Sequence, residues 1–436
     1  MECYDFLRRL AASRLQGAAE GIYAVCSSHP NVIEAALARA RGARLLIETT
    51  SNQVNQSGGY TGLTPSMFAQ WIAERASVHH VPPGNIVLGG DHIGPYPWRR
   101  EPSARAMEKA KALAGDCVKA GYGKIHLDAS MHAADDPGDR RHPLDPKVSA
   151  ERAAEICEAA ESAWRSVRAP GDDRAPLYVI GTDVPVPGGT ESGAQAPKIT
   201  SVEDLQKTIG LCGDSFRRKG LGDAWERVIA VVVQPGVEHG EEIIHRYRRE
   251  KVAPLVSALG SLGSLSFEAH ATDYQTPSAL RTMVQDGFAI LKVGPSLTGA
   301  VREALFLLTH VEEALSSLHP RMIPSRLPEA LEAAMLADPA HWATYYHGEE
   351  KQLAFARMYG LSDRCRYYWG VPSVKSAVEH LLENLRGTPI PLSLLRQYFP
   401  RQYADIQDGT LETAPEAIIR AHIDRVLEIY AVAVTG

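Results

Sequence analysis

Ionisable side chains recur directly after the short apolar runs of this sequence, in a pattern that suits acid-base and metal chemistry. Asp91 and His92 follow one run, and Glu238 and His239 follow another. The remaining members of the set are Asp128, Asp183, Glu191, Glu268, His270 and Asp273. If the runs are parallel strands of one closed sheet, their carboxyl ends meet at one rim, and these groups share that rim.

Three of the rim histidines, His92, His239 and His270, are candidate metal ligands. A catalytic zinc ion takes three protein ligands and keeps one position open. Such an ion polarises a carbonyl group and stabilises an enediolate. For each histidine the alternative is a hydrogen-bonded loop residue. Weaker candidates are His29, His126 and His132.

Carboxylates on the same rim would move the protons of such a reaction. The candidates for this catalytic role are Asp91, Asp128, Asp183 and Glu191.

Several segments suit phosphate binding. Gly58-Gly59 and Gly188-Gly189 offer backbone N–H groups without side-chain obstruction, although turn formation explains them equally well. Gly294 and Ser296 stand at a predicted helix start after the last apolar run, where barrels often bind phosphate. Lys292 precedes them and is an alternative Schiff-base nucleophile of a metal-free aldolase, which requires a desolvated pocket.

The elements that position these residues are eight strand-length apolar runs, most of them followed by amphipathic helical patterns. The runs are residues 21–26, 44–49, 85–90, 124–128, 177–181, 228–233, 264–269 and 288–293. Strands that alternate with helices indicate parallel pairing, and eight such units predict a (β/α)8 barrel. A doubly wound sheet is the rival fold, but the Gly-x-Gly-x-x-Gly loop is missing after the first run.

From about Leu305 the pattern becomes purely helical. We therefore expect a barrel over residues 1–304 and a helical extension, packed on the barrel, over residues 305–436. Within the extension, residues 361–369 (LSDRCRYYW) form the one unusual stretch.

Composition limits the class of protein. The 436 residues carry a net charge of -6 with acids and bases interspersed, which disfavours nucleic-acid binding. The six cysteines have no C-x-x-C spacing, which argues against a disulfide framework and favours a reducing cytoplasm. The longest apolar runs have strand length, so we expect no membrane span.

Ten motifs distributed over nearly the whole chain resemble one known family. They are 26–30 (CSSHP), 48–56 (ETTSNQVNQ), 89–92 (GGDH), 126–130 (HLDAS), 184–189 (VPVPGG), 233–238 (VQPGVE), 268–275 (EAHATDYQ), 291–295 (LKVGP), 362–364 (SDR) and 366–369 (RYYW). The family is the Z-type subunit of tagatose-1,6-bisphosphate aldolase, the GatZ/KbaZ family.

This resemblance implies sugar or sugar-phosphate chemistry on the tagatose and fructose series. Some members of the family resemble non-catalytic partners of a zinc-bearing Y-type subunit. Others act alone as metal-dependent 4-epimerases of ketoses or their 6-phosphates. We expect a divalent ion (Zn, Mn or Ni), a sugar or sugar-phosphate substrate and a homo-oligomer, with a Y-type subunit as a possible partner. A sugar-phosphate kinase is disfavoured because Gly-x-x-x-x-Gly-Lys-Ser/Thr is absent.

A more distant resemblance to the class II aldolases implies roles for single residues. Asp91-His92 is similar to their zinc-binding Asp-His, and Glu191 to the general base of their Gly-Gly-x-Glu loop. His239 and His270 are similar to their two further ligands. The substrate- or phosphate-binding residues that we expect are Ser51, Asn52, Gly58, Gly59, Gln234, Asp273, Lys292, Gly294 and Ser296.

Overall fold

The computed structural model describes residues 1–15, 19–140, 143–171, 173–181 and 196–435. The strands of this part of the chain are β1 Ile22–Val25, β2 Leu45–Thr50, β3 Ile86–Ile93, β4 Lys124–Leu127, β5 Leu177–Ile180, β6 Val228–Val232, β7 Glu238–His239, β8 Ile244–His245, β9 Ser266–Ala269 and β10 Phe288–Val293.

The helices of the same residues are α1 Cys3–Leu15, α2 Pro30–Arg39, α3 Pro65–Val78, α4 Ser103–Lys119, α5 Pro146–Val167, α6 Val202–Arg218, α7 Gly222–Trp225, α8 Arg249–Ala258, α9 Pro277–Gln285, α10 Pro295–Ser316, α11 Leu327–Ala337, α12 Glu350–Tyr359, α13 Pro372–Gly387, α14 Leu392–Tyr398, α15 Pro400–Gln407 and α16 Pro415–Val434.

Eight of the strands close into a parallel barrel in the order β1-β2-β3-β4-β5-β6-β9-β10, and β10 pairs with β1. The predicted (β/α)8 barrel with C-terminal helices is therefore confirmed. All eight predicted runs form barrel strands, while β7 and β8 form a separate antiparallel ribbon in the loop after β6. The largest difference lies in β3, which extends to Ile93 rather than ending at Gly90.

Helix α1, which the sequence analysis did not predict, closes the amino end of the barrel. Its buried residues Cys3, Phe6, Leu7 and Leu10 recur at helical spacing and form one face. They pack against the inward-facing apolar residues at the start of the strands, such as Leu177. The bottom of the barrel is therefore an ordinary apolar core, and polar groups collect at the other end.

The expected domain boundary at residue 304/305 falls inside α10, a continuous helix that is buried along its length. Helix α16 then returns to the barrel and packs on α2, α9 and α10. The guanidinium of Arg39 makes two hydrogen bonds to the carboxylate of Asp424, at 2.6 and 2.7 Å. The extension and the barrel thus share one core, because the helix that ends the barrel also begins the extension.

None of the described helices combines the length and the apolar character that a membrane crossing requires.

Strand β3 carries an irregularity that shapes the carboxyl rim. Its register with β4 shifts between Gly90 and Ile93, so that Asp91 and His92 lie in a bulge. His92 has a φ of +48°, an unusual conformation for a residue other than glycine. Just beyond, a Cβ atom at Gly94 would lie 1.5 Å from the carbonyl oxygen of Asp128. The backbones after β3 and β4 therefore approach as closely as only glycine permits.

We predict that Gly94→Ala lowers the free energy of unfolding by about 3 kcal/mol, because the methyl group overlaps backbone that cannot move aside cheaply. The measurement is urea unfolding followed by circular dichroism. Gly210→Ala is the matched control, since a Cβ there meets nothing within 4 Å. In α6 that change should stabilise by up to about 1 kcal/mol. Equal stability of the two variants would contradict the close approach.

Candidate active site

A network of buried charges lies inside the barrel. Glu48 on β2, Lys124 on β4 and Glu268 on β9 have no exposed side-chain surface. The Nζ atom of Lys124 lies 2.6 Å from Glu48 Oε1 and 2.6 Å from Glu268 Oε2. Burial alone would lower the pKa of Lys124, but the two carboxylates outweigh it and raise the pKa. The ammonium group thus remains charged inside the barrel.

Lys292 on β10 joins this network from above. Its Nζ atom contacts Glu48, and it lies 2.7 Å from Asp91 and 3.6 Å from Glu268. Burial opposes the charge, but these carboxylates, Asp91 foremost, raise the pKa of Lys292 well above its usual value. Conversely, burial is outweighed at Asp91 by His92 and Lys292, which hold its pKa well below the usual range.

Four side chains of types that can ligate a metal ion lie close together beside this network. Asp91, His92, His126 and His270 are buried, and one ligand atom of each lies within 4.8 Å of those of the others. The three imidazole rings lie 4.9 to 5.2 Å apart between centroids. The structure thus brings together the predicted ligands His92 and His270, with His126 in place of His239.

Hydrogen bonds orient His92 and His270 from behind. His92 Nδ1 lies 2.7 Å from Asp128 Oδ2, and Asp128 in turn accepts from the N–H and hydroxyl of Ser130. His270 Nε2 lies 3.0 Å from Glu268 Oε1. Burial lowers the pKa of His270 to about 3, against the effect of Glu268, so this imidazole is neutral near pH 7. Carboxylates that fix a histidine in this way are typical of metal sites.

His126 joins the cluster from β4. Its Nδ1 lies 3.0 Å from Asp91 Oδ1 and 3.2 Å from the backbone nitrogen of His92. Its Nε2 is buried and has no hydrogen-bond partner among the described residues. The tautomer that donates from Nδ1 to Asp91 leaves the Nε2 lone pair available to a metal ion, but it gives up the hydrogen bond that the His92 N–H donates to Nδ1.

His239 lies apart from these four residues. It sits on the ribbon strand β7, with its ring 5.4 Å from that of Tyr274. Both of its ring nitrogens are buried without a hydrogen-bond partner in the described part of the chain. Burial lowers the pKa of His239, and burial also raises the pKa of the neighbouring Glu238 to about 7. Both side chains line the cavity described below, so they remain candidates for contact with a substrate.

The predicted catalytic carboxylates have different positions. Asp91 belongs to the cluster and lines the cavity. Asp128 lies behind His92 and does not line the cavity, so the structure gives it an orienting contact. Asp183, Glu191 and the Gly188-Gly189 pair lie outside the described residues.

The predicted binding residues of the β2–α3 loop divide into two groups. Asn52 lines the cavity. Ser51 instead donates its hydroxyl to the carbonyl oxygen of His92 at 2.9 Å, and so supports the strained backbone there. Gly58 and Gly59 do not line the cavity. A Cβ at Gly59 would lie 2.3 Å from Gln53 O, so this glycine serves close backbone packing.

At the start of α10, the backbone donors expected for phosphate are already bonded. One carboxylate oxygen of Asp273 accepts from Gly294 N at 3.0 Å, from Ser296 N at 2.8 Å and from the Ser296 hydroxyl at 2.7 Å. Asp273 thus holds the place that an anion takes at such a helix start. Gln234 likewise bonds within its own loop, to Gly236 N at 2.7 Å, and lies outside the cavity lining.

The cluster opens into a cavity of about 850 Å³, within the size range of small-molecule sites. Its deep end carries Asp91, His92, His270 and Lys292. Its outer walls come from α2, from the β2–α3 loop and from the C-terminal extension. The extension contributes Arg366, Tyr367, Trp369, Gly370, Lys375, Val378 and Leu382.

Two groups of residues at the candidate site were not predicted from the sequence. Glu48 and Lys124 were not proposed as site residues, although both are charges inside strand-length apolar runs. Such a charge must face a polar interior, since a buried ion needs a partner, and this signal could have identified them. The contribution of the extension to the cavity could not have been found this way, because it depends on how α13 packs on the barrel.

The chain also matches a known protein family. Residues 7–435 match the model of the D-tagatose-1,6-bisphosphate aldolase subunit GatZ/KbaZ-like family. The chain belongs to this family. The resemblance noted in the sequence is thereby confirmed.

A crystal structure of a probable tagatose 6 phosphate kinase from Sinorhizobium meliloti 1021 is similar over 95% of this chain and 100% of that one, with 41% identity and a TM-score of 0.84. Two aldolases are far less similar. An aldolase from Escherichia coli K12 covers 88% of this chain and 97% of its own at 10% identity and a TM-score of 0.39. Fructose-bisphosphate aldolase from Campylobacter jejuni covers 88% and 90% at 14% identity and a TM-score of 0.40.

We predict that His29 makes the stability of the protein depend on pH. His29 caps α2 through a hydrogen bond from Asn31 N to its Nδ1, at 3.3 Å. Burial lowers its pKa from 6.5 to about 4, against the effect of Asp363. Since the unfolded chain binds the proton more tightly, this contribution is complete above about pH 6.5 and is lost as the pH falls towards 4.

The test compares the unfolding free energy of the wild type and His29→Asn from pH 8 to pH 4. Asparagine keeps a capping acceptor without a titrating ring, so the two curves should nearly coincide at pH 8. Below pH 6.5 the wild type should lose up to about 1.4 kcal/mol per pH unit more than the variant. Parallel curves would show that His29 titrates alike in both states.

Proposed function

We propose that the chain is a divalent-metal-dependent enzyme that acts on ketoses of the tagatose and fructose series, or on their phosphates, by retro-aldol chemistry or C4 epimerisation. The observation that carries this proposal is the cluster of Asp91, His92, His126 and His270, of which Asp91, His92 and His270 line the cavity. Family membership supports the class of sugar.

The donor set fits a divalent ion. Three imidazoles and one carboxylate suit zinc, manganese or nickel. The buried Nε2 atom of His126 has no hydrogen-bond partner in the described residues, and a metal bond would satisfy it. His92, His126 and His270 would hold the ion, with Asp91 as a fourth ligand or as a base beside it. When bound, the ion supplies Lewis-acid polarisation of the C2 carbonyl group.

The protein groups around this position would handle the protons. Asp91 is ionised and faces the cavity, so it can accept the proton of the C4 hydroxyl as the C3–C4 bond breaks. The Lys292 ammonium, 2.7 Å from Asp91, can donate a hydrogen bond to a developing oxyanion. Glu191, assigned from its resemblance to the class II aldolase base, would protonate C3, the enediolate carbon left when the C3–C4 bond breaks. Protonation of that carbon and release of both fragments gives aldolase chemistry, whereas re-addition of the unprotonated enediolate carbon to the other face of the aldehyde gives epimerisation.

The Schiff-base alternative at Lys292 is less well supported. A nucleophilic lysine must lose its proton, and this requires a lowered pKa. The carboxylates Glu48, Asp91 and Glu268 surround Lys292 and raise its pKa instead. This alternative therefore conflicts with the electrostatics of the pocket.

A non-catalytic subunit is the second candidate function, because the family is described as an aldolase subunit. In that case the chain would stabilise a separate catalytic subunit. It would then bind no stoichiometric metal and show no turnover alone.

The test is a 13C NMR time course of the purified chain, stripped of metal and resupplied with zinc, manganese or nickel. The substrates are tagatose, tagatose 6-phosphate and tagatose 1,6-bisphosphate. Metal-dependent appearance of the fructose series establishes an epimerase, and triose products establish an aldolase. Silence with every metal and substrate would overturn autonomous activity and favour the partner subunit.

We predict that His126→Ala lowers metal affinity by about tenfold to 100-fold or more, because it removes a ligand from the cluster. The same result is expected for His92→Ala. His239→Ala is the matched control, since His239 lines the same cavity outside the cluster. It should keep the metal content of the wild type, measured by mass spectrometry after dialysis. Loss of metal in His239→Ala with retention in His126→Ala would restore the ligand set expected from the sequence.

We further predict that Glu191→Gln keeps stoichiometric metal but lowers kcat by about 100-fold or more, because the amide cannot transfer a proton. The measurement combines metal content with the NMR rate. An unchanged rate would remove Glu191 from the mechanism.

A further inference from the structure

The unusual stretch of the extension, residues 361–369, forms one wall of the cavity and is anchored at several points. Asp363 has a φ of +48°, and its Oδ1 accepts from Arg302 Nε at 2.8 Å. The hydroxyl of Tyr274 donates to the carbonyl oxygen of Leu361 at 2.7 Å. The 3-10 turn Arg364–Tyr367 that follows presents Arg366 and Tyr367 to the cavity. A strained backbone with this many anchors indicates a function for the side chains that it holds.

The hydroxyl of Tyr367 has an unusual environment. Its oxygen accepts from Arg366 Nη2 at 3.0 Å and from Arg364 Nη1 at 3.3 Å, which uses both lone pairs. Its own hydrogen has no acceptor among the described residues. The ring is stacked on His341 at 4.5 Å and packs edge-on to Tyr60 at 4.8 Å. The phenol is thus a fixed hydrogen-bond donor at the cavity wall.

Among the described residues, the two guanidinium groups have no neutralising carboxylate. In the described part of the chain, no carboxylate oxygen lies within 4.0 Å of a side-chain nitrogen of Arg364 or Arg366, and the carboxylate of Asp363 is paired with Arg302. Arg364 is 2% exposed, and its Nε and Nη2 atoms have no hydrogen-bond partner in that part. Buried charges are ordinarily paired, so this wall is electrostatically suited to an anion.

The electrostatics of Tyr367 agree with this interpretation. Burial opposes ionisation, but the Arg366 and Arg364 guanidinium groups outweigh it and lower the pKa of the phenol. An acidified phenol is a stronger donor to an anionic oxygen than an ordinary tyrosine is. Lys375 on α13 adds a further positive charge at the same side of the cavity.

We propose that Arg366 and Tyr367 form the subsite for the phosphate group of a ketose phosphate, whose reacting carbons lie at the histidine cluster. This inference rests on the proposed function. The Tyr367 hydroxyl and the Arg366 guanidinium donate to phosphate oxygens, and the phosphate supplies the negative charge that the wall lacks. The start of α10 does not serve this purpose, because Asp273 occupies its donors.

The decisive variant is Tyr367→Phe, which keeps the packed ring but removes the hydroxyl, both as a donor and as the acceptor of the hydrogen bonds from Arg366 and Arg364. Calorimetry on the metal-stripped full chain measures the affinity for tagatose 6-phosphate and for inorganic phosphate. Kinetics with resupplied metal measure KM and kcat for tagatose 6-phosphate and for free tagatose. Tyr359→Phe is the matched control, since Tyr359 is 55% exposed on α12 and does not line the cavity.

We expect Tyr367→Phe to weaken binding of tagatose 6-phosphate by about tenfold or more, with a corresponding rise in KM. KM for free tagatose should stay as in the wild type, whereas the melting temperature should fall somewhat, because the guanidinium groups of Arg364 and Arg366 lose an acceptor. Arg366→Lys should show the same selectivity, because lysine lacks the planar fork of donors. Inorganic phosphate should compete with the sugar phosphate in the wild type and lose affinity in both variants.

Three outcomes would overturn the subsite: unchanged affinity for the phosphate compounds, equal losses for tagatose and tagatose 6-phosphate, or wild-type turnover of free tagatose without any phosphate binding. The last outcome leaves the proposed function intact. Conversely, phosphate binding that depends on Tyr367 in a chain without turnover would support the subsite and overturn the proposed enzyme.

Discussion

The arrangement of the candidate site depends on one constraint, the pairing of five charges inside the barrel. Lys124 pairs with Glu48 and Glu268, Lys292 pairs with Glu48, Asp91 and Glu268, and each of the five side chains is at most 5% exposed. Removing such charges from water costs several kcal/mol each unless partners replace the lost hydration. The network therefore tolerates little movement of any member.

The same carboxylates also fix the positions of two histidines. Asp91 contacts His126, and Glu268 contacts His270, so two of the three imidazoles are positioned by carboxylates that the lysines hold. His92 is oriented separately, by Asp128 and by the bulge in β3. Its left-handed backbone and the close approach at Gly94 are local costs that the surrounding barrel must offset. A preorganised cluster of this kind needs little rearrangement to bind an ion.

The C-terminal extension gives the cavity its second electrostatic character. The deep end contains a charge network in which anions and cations are paired. The wall formed by Arg364–Tyr367 instead carries cations that have no carboxylate partner in the described residues. A substrate with a polar reacting end and an anionic far end would match both ends of the cavity. The extension thus forms part of the cavity wall, and α10 runs without a break across residue 304.

Motif resemblance predicted the family. Local patterns in the sequence predicted the eight barrel strands, the helical extension and the rim position of Asp91, His92 and His270. These follow from local patterns, since strand length, hydrophobic alternation and the residues after each strand depend only on near neighbours in the chain. Which side chains contact one another depends on the tertiary packing. It replaced His239 by His126 in the cluster, because the ribbon of β7 and β8 holds His239 against Tyr274, while His126 points into the barrel from β4. It also filled the start of α10 with Asp273, kept Lys292 charged and brought the extension to the cavity. Each of these depends on contacts between residues far apart in the sequence, which no local pattern encodes.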